Sequence, residues 1–441
     1  MAGELWLVSG CVEWTVKHFF PWIVSPVSTI MVGKRKVNGI LNWRQYPVEL
    51  LVSEGDMRVS DSIYLDYQST TPTDQRVVQA MLPHFTDSFG NPHSSNHVLG
   101  WKGLDAVETS RLDVASLIGA SPEEVLFTSG ATESNNHAIF GVVAANTTNR
   151  KTILISAIEH KCVKEAADFF AKQHGCKVRE IPVLSSGKVD QSAYRNLLTE
   201  DVLFVSVMAV NNEIGTIQNI SELSRKAHEV GALFHCDAAQ APEAFDIDIM
   251  NLGVDLLSLS AHKIYGPKGI GALFIDSSIK AELPPLIHGG GQQDGMRSGT
   301  LPTPLCVGFG MASSIVQREG AQNRLRLSEL SALMLDELRK AGVEFTINGD
   351  PNDRHPGNLN LEFPGKDAEF LINKLQPKVC ASTGSACNSG IIQASYVLSS
   401  IGLSDTRASS CLRLSVGRFS DEEQVTEVAK LISETIKKAS G

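Results

Sequence analysis

The first residue whose setting points to chemistry is a lysine. The stretch Ser260-Ala261-His262-Lys263-Ile264-Tyr265-Gly266-Pro267 follows the apolar run Leu256–Leu259. An amine at such a strand end, with its pKa lowered by its surroundings, can form a Schiff base with an aldehyde. Upstream, Phe234-His235-Cys236-Asp237 ends a second apolar run in an acid. A carboxylate there suits the pyridine nitrogen of an electron-accepting cofactor ring. Further upstream, Thr128-Ser129-Gly130-Ala131-Thr132 joins the run Val125–Phe127 to a helix-forming stretch. Free backbone N–H groups and the positive dipole end at such a junction attract an anion. Each segment also has a plainer reading: a surface turn lysine, a capping or solvated aspartate, an ordinary capped helix start.

Elements of two kinds must position these residues. Short apolar runs at Val125–Phe127, Thr152–Ile155, Val202–Met208, Ala232–Phe234, Leu256–Leu259 and Ala272–Ile275 have strand length. Between them apolar residues recur at helical spacing, as in Ile220, Leu223, Ala227 and Val230, and in Leu104, Val107, Val114 and Ile118 closed by Gly119. Such alternation implies a mainly parallel sheet covered on both faces. After about residue 315 the texture changes to a long helical stretch near Asn323–Ala341 and then mixed elements.

The bulk properties narrow the partners. In 441 residues, 39 basic and 49 acidic side chains give a formal charge of −10, so no strong field draws nucleic acid or an anionic membrane. Hydrophobic residues at 42% and charged residues at 20% are ordinary for a globular chain. The eight cysteines are scattered with no CxxC pair, which fits a reducing compartment and indicates neither a disulfide scaffold nor a metal site.

The first 60 residues stand apart. Four of the five tryptophans, Trp6, Trp14, Trp22 and Trp43, lie there. The longest uncharged run, Phe19 to Gly33, has 15 residues, short of the roughly 20 that span a bilayer. Neither a secretory leader nor an Arg-rich presequence matches, so the expected location is the cytoplasm, with the mitochondrion as the alternative. Residues 1–56, ahead of Met57, are expected to be dispensable for catalysis.

In this order the segments resemble the pyridoxal 5'-phosphate enzymes of the class V aminotransferase fold, and specifically the cysteine desulfurases of the NifS/IscS type. The resemblance runs from Ile63 to about Phe419. It includes Tyr64-Leu65-Asp66 with Thr70-Thr71-Pro72, Gly90-Asn91-Pro92-His93-Ser94, Thr128 through Asn136, Glu159-His160-Lys161, and Asn211-Asn212-Glu213. It continues through Asp237 to Gln240, His262-Lys263, Gly295-Met296-Arg297-Ser298-Gly299-Thr300, Ser382-Thr383-Gly384-Ser385-Ala386-Cys387, and Arg413.

The resemblance implies an α/β chain of the aspartate aminotransferase-like fold. A large cofactor-binding domain over residues 73–315 would carry a mainly parallel, seven-stranded sheet. A smaller α/β domain would comprise residues 61–72 and 316–441 and carry the cysteine loop. Lys263 is then the lysine that takes the cofactor aldehyde, Asp237 the partner of the ring nitrogen, and His160 the residue that stacks on the ring and moves protons. Asn212 and Gln240 would bond the ring's phenolic oxygen. Ala131, Thr132, Ser260 and His262 would hold the phosphate, with Thr300 entering from the second subunit of a homodimer. Arg413, helped by Asn212, would anchor the carboxylate of L-cysteine. Cys387 would receive the sulfur as a persulfide, releasing alanine, and pass it to acceptor proteins of iron–sulfur assembly or tRNA thiolation. The remaining cysteines from Cys162 to Cys411 read as core-filling residues.

The segment from Cys387 to Leu398 has the family's long-loop form. The chain ends at Gly441 without the longer tail common in members that feed iron–sulfur scaffolds, so docking through such a tail is not expected. The same residues would serve a selenocysteine lyase, and a catalytically silent binding protein that has kept the fold is the alternative of another class.

Overall fold

The computed structural model describes the strands Ile30–Val32 and Arg35–Val37, and residues 62–383 and 395–438. The chain divides into a unit Met1–Asp56 and a unit Met57–Gly441. In the first, Ile30–Val32 (β1) and Arg35–Val37 (β2) pair antiparallel. The four tryptophans that set this region apart lie outside the described residues. Among the described residues no helix is long and apolar enough to cross a membrane.

In the second unit, Ile63–Tyr64 (β3) precedes the main sheet. That sheet is built from Val125–Thr128 (β4), Thr152–Ser156 (β5), Lys177–Ile181 (β6), Val202–Ser206 (β7), Leu233–Asp237 (β8), Leu256–Ser260 (β9) and Gly271–Ile275 (β10). Its seven strands lie in the order β4-β10-β9-β8-β7-β5-β6. Neighbours run parallel except β10, which is antiparallel to both β4 and β9. All six runs expected to be strands are strands, and β4, β5, β7, β9 and β10 are buried along their whole length. The sequence hides only β6, because it is an edge strand whose Lys177, Arg179 and Glu180 are exposed, so it carries no apolar run.

The helix Val98–Ile118 ends at Gly119, whose φ of 70° closes it in the left-handed conformation that glycine adopts without a Cβ penalty. The long helix differs from expectation. It spans Thr303–Lys340, beginning some twenty residues before the stretch near Asn323. Its first half, through Cys306, Phe309, Ala312 and Ile315, joins the core beside the main sheet. Its second half, through Leu327, Leu330, Met334 and Leu338, joins a separate apolar cluster. That cluster covers the antiparallel sheet formed by Thr346–Ile347 (β11), Asn358–Glu362 (β12) and, later in the chain, Cys411–Ser415. Val379–Cys380 (β13) pairs parallel with β3, and Cys411–Ser415 is β14. Each apolar side chain so buried contributes roughly 1.5–3 kcal/mol, which is what holds the two sheets to one helix.

One close approach matters for the site. A Cβ at Gly271 would fall 2.4 Å from Leu259 O and 2.7 Å from Gly130 Cα. Only glycine lets β10 slide between β4 and β9 while the loop Ser129–Gly130 folds over its end.

Candidate active site

The carboxyl ends of the parallel strands bring the candidate residues together, as open α/β sheets do for their ligands. Asp237 is the last residue of β8, Ser260 ends β9 with Ala261–Lys263 as the next turn, and Ser129 and Gly130 follow β4. His160 follows β5 as the N-cap of the helix Lys161–His174, and Asn212 lies beyond β7. These residues, with Ala131, Thr132, Gln240, His262, Lys263 and Arg413, line one cavity of about 700 Å³.

One end of the cavity is made for an anion. The helix Ala131–Ala145 starts at Gly130 with no side chain capping its first N–H groups. Thr132, Ser260 and His262 stand around this end. Glu133 holds the loop in place, accepting from the Ser129 N–H at 2.9 Å and from Arg297 Nε at 2.8 Å. His262 Nδ1 lies 3.0 Å from Thr70 Oγ1. Burial, then Lys263 and Lys268, push the His262 pKa down to about 4, so it meets an anion as a neutral donor.

Asp237, which lines the same cavity, is 5% exposed. Its Oδ2 accepts from Asn135 Nδ2 at 2.7 Å and its Oδ1 from the Ala239 N–H at 3.0 Å, which fixes the plane of the carboxylate. Behind it Glu159 is fully buried, accepts from the Met208 N–H at 2.6 Å through Oε1, and has no partner for Oε2. Burial first, then Asp237, raise the Glu159 pKa well above the usual carboxylate range.

Lys263 Nζ reaches Gln68 O at 2.6 Å and Ser69 O at 2.8 Å. Burial and the nearby Arg413 push its pKa down to about 8, against the opposing pull of Asp237 and Asp66. The amine is therefore available as a nucleophile near neutrality. His160 is held toward its neutral form, by burial first and then by Lys263 and Lys161, while Asp237 acts the other way.

Arg413 on β14 is 3% exposed. It donates to Asn212 O at 2.9 Å and to Asp66 Oδ1 at 2.6 Å, and its Nε is buried without a partner. Its backbone pairs with Ser382, so the strand that carries the guanidinium also holds the start of the segment leading to Cys387. Cys387 itself lies outside the described residues. Ser395, just past that segment, donates to Glu213 Oε2 at 2.5 Å.

Gln240 gives its Nε2–H to Gln68 O at 2.9 Å, so its amide also braces the wall that receives Lys263. Thr300 is exposed and does not line this cavity. Sequence reasoning missed Asn135, Asp66 and Gln68, and read Cys162 as core filling; Cys162 packs against an apolar cluster and also lines the cavity. The one signal was Asn135-Asn136, a pair of poor helix formers inside a helix. Among the described residues no three His, Cys, Asp or Glu side chains are grouped to hold a metal ion.

The donor set fits pyridoxal phosphate. It offers an anion cradle at a helix start, a fixed carboxylate for a ring nitrogen and a deprotonatable lysine, all lining one cavity.

The family profile for Aminotransferase class-V matches residues 63–428. A curated relative, cysteine desulfurase IscS of Rickettsia bellii, is 45% identical over 376 residues, 85% of this chain and 91% of its own. A solved NifS-like protein has a TM-score of 0.79 at 33% identity, over 86% of this chain and 100% of its own. A structure of SspA in complex with cysteine has a TM-score of 0.70 at 34% identity, over 81% of this chain and 99% of its own.

An aldehyde offered to the cavity and fixed by borohydride reduction should mark Lys263. The trapping rate should rise with pH through about 8, where the amine loses its proton. A rise centred near the ordinary lysine value of about 10.4 would contradict the depressed pKa.

Proposed function

The chain belongs to the class V aminotransferase family, and we propose that it works there as a pyridoxal-phosphate-dependent cysteine desulfurase. It converts L-cysteine to L-alanine and transfers the sulfur to a cysteine of its own. The single observation that carries this reading is the convergence of Lys263, Asp237, His160 and Arg413 on one cavity. The names of the relatives favour sulfur chemistry over selenocysteine cleavage and over a silent binding role.

Pyridoxal phosphate, when bound, supplies an aldehyde for amine capture and a protonated ring that withdraws electrons from the substrate carbon. The chain does the rest. The N–H groups at the start of Ala131–Ala145, with Thr132, Ser260 and His262, hold the phosphate. Asp237 would offer a carboxylate to the ring nitrogen, and Asn212 and Gln240 would bond the phenolic oxygen. Arg413 takes the substrate carboxylate through a planar, charge-assisted contact, beside Asn212. Lys263 accepts and returns protons at Nζ, and His160 handles protons at the imidazole. Cys387 attacks the substrate sulfur as a thiolate; the carbon–sulfur bond breaks, a sulfur–sulfur bond forms, and alanine leaves.

The active unit is a homodimer in which Thr300 completes the phosphate site of the other subunit. Thr300 is exposed and away from its own cavity, and the helix Val98–Ile118 leaves Trp101 at 57% and Leu112 at 52% exposure, an apolar flank that a second copy would cover. Light scattering at monomer mass from a fully active sample would contradict this. The large and small domains, 73–315 against 61–72 with 316–441, are part of the same proposal; the two separate apolar clusters support it, with the helix Thr303–Lys340 shared between them. The reaction is placed in the cytoplasm, with sulfur handed on to acceptor proteins.

Mass spectrometry after addition of L-cysteine should find a persulfide on Cys387, and Cys387→Ser should abolish it while cofactor binding remains. Persulfide mainly on Cys380 or Cys411 would overturn the assignment.

A further inference from the structure

His160 and Asp237 stand at the ends of different strands, yet a chain of hydrogen bonds joins them. Asn135, fully buried, donates from Nδ2 to Asp237 Oδ2 at 2.7 Å, and the same Nδ2 lies 3.1 Å from Cys162 Sγ. Cys162 Sγ in turn lies 3.0 Å from His160 Nδ1. The backbone N–H of Cys162 donates to that same Nδ1 at 3.2 Å, which is the capping bond of the helix Lys161–His174. A ring nitrogen that accepts from an amide carries no proton, so the neutral imidazole has its one proton at Nε2.

We propose that Cys162 is a positioning residue for His160: its sulfur accepts from Asn135, its S–H joins its own backbone N–H in donating to His160 Nδ1, and the two donors together hold the imidazole neutral, as the Nε2–H tautomer. His160 then presents a proton, not a lone pair, on the edge of the ring away from Cys162. Proton acceptance in the cavity falls to Lys263, and His160 serves as the donor. The proton that the relay needs is in place, because burial first and Asp237 second push the Cys162 thiol up to about 12, against the hydrogen bonds from Asn135 and Thr132. The charged groups that face the imidazole are Asp237 at the end of β8, Lys263 after β9 and Lys161 on its own helix. None of these is changed by substituting Cys162. For packing alone, any small apolar residue would serve at this position; the thiol adds the donor.

The consequence for turnover rests on the reading of this cavity as a desulfurase site, whereas the tautomer does not. The test is nuclear magnetic resonance of the full-length protein with its cofactor, labelled with 15N at histidine, with His160 assigned by the signal lost in His160→Gln. The parent should show the Nε2–H tautomer. Cys162→Ala and Cys162→Val keep the backbone N–H donor to Nδ1 but lose the side-chain donor, so they should keep the Nε2–H tautomer and raise the His160 titration midpoint by about 0.5 pH unit or more, because a donor to Nδ1 favours the neutral ring. Cys162→Ser should restore the parent pattern. In turnover, the acid limb of the pH profile should move upward with the midpoint in the Ala and Val variants. A parent-like midpoint in both of these variants would overturn the proposal, as would an Nδ1–H tautomer in the parent or failure of serine to restore the midpoint that alanine changes. A parent with the Nε2–H tautomer but no activity on L-cysteine would overturn the functional reading and leave this assignment standing.

Discussion

The hydrogen bond from Asn135 to Asp237 is the constraint on which the rest of the site depends. A carboxylate that is only 5% exposed keeps its place only if its oxygens are satisfied. Here one oxygen takes the Asn135 amide and the other takes an N–H of its own turn. Asn135 comes from the helix whose N-terminus forms the anion cradle. The cradle and the carboxylate are therefore set by one rigid element and by β8, and the distance between them cannot drift independently. Buried acids next to one another repel, and burial together with Asp237 pushes the Glu159 carboxyl toward its neutral form.

The second constraint is on the substrate side. Arg413 is held by Asp66 and by Asn212 O, and these contacts come from β14, from the turn after β3 and from the segment after β7. A buried guanidinium with a free Nε is costly unless something uses it, and an incoming carboxylate is the chemistry that would. The helix Thr303–Lys340 packs on both apolar clusters, so the strand carrying Arg413 is fixed relative to the sheet carrying Lys263.

Much of this was legible in the sequence, for reasons that differ by residue. The strands of the sheet interior read as apolar runs because both their faces are covered, and β6 did not because an edge strand is free to carry charge. Lys263 and Asp237 could be placed because each closes such a run. The long helix was read short because its first half, with Gly308, Gly310 and Gly320, lacks the composition of a helix and is kept helical by packing. Cys162 and Asn135 escaped notice because their roles lie in contacts between elements far apart in sequence, which no local pattern encodes.

Asp237→Asn tests the account most directly, since it keeps the size of the side chain and one of the two accepting oxygens while removing the charge. Alanine released from L-cysteine by this variant should fall at least about a hundredfold, with the pyridoxal phosphate content measured by absorbance unchanged. Release at the parent rate would contradict the claim that a fixed negative charge at the end of β8 drives the reaction.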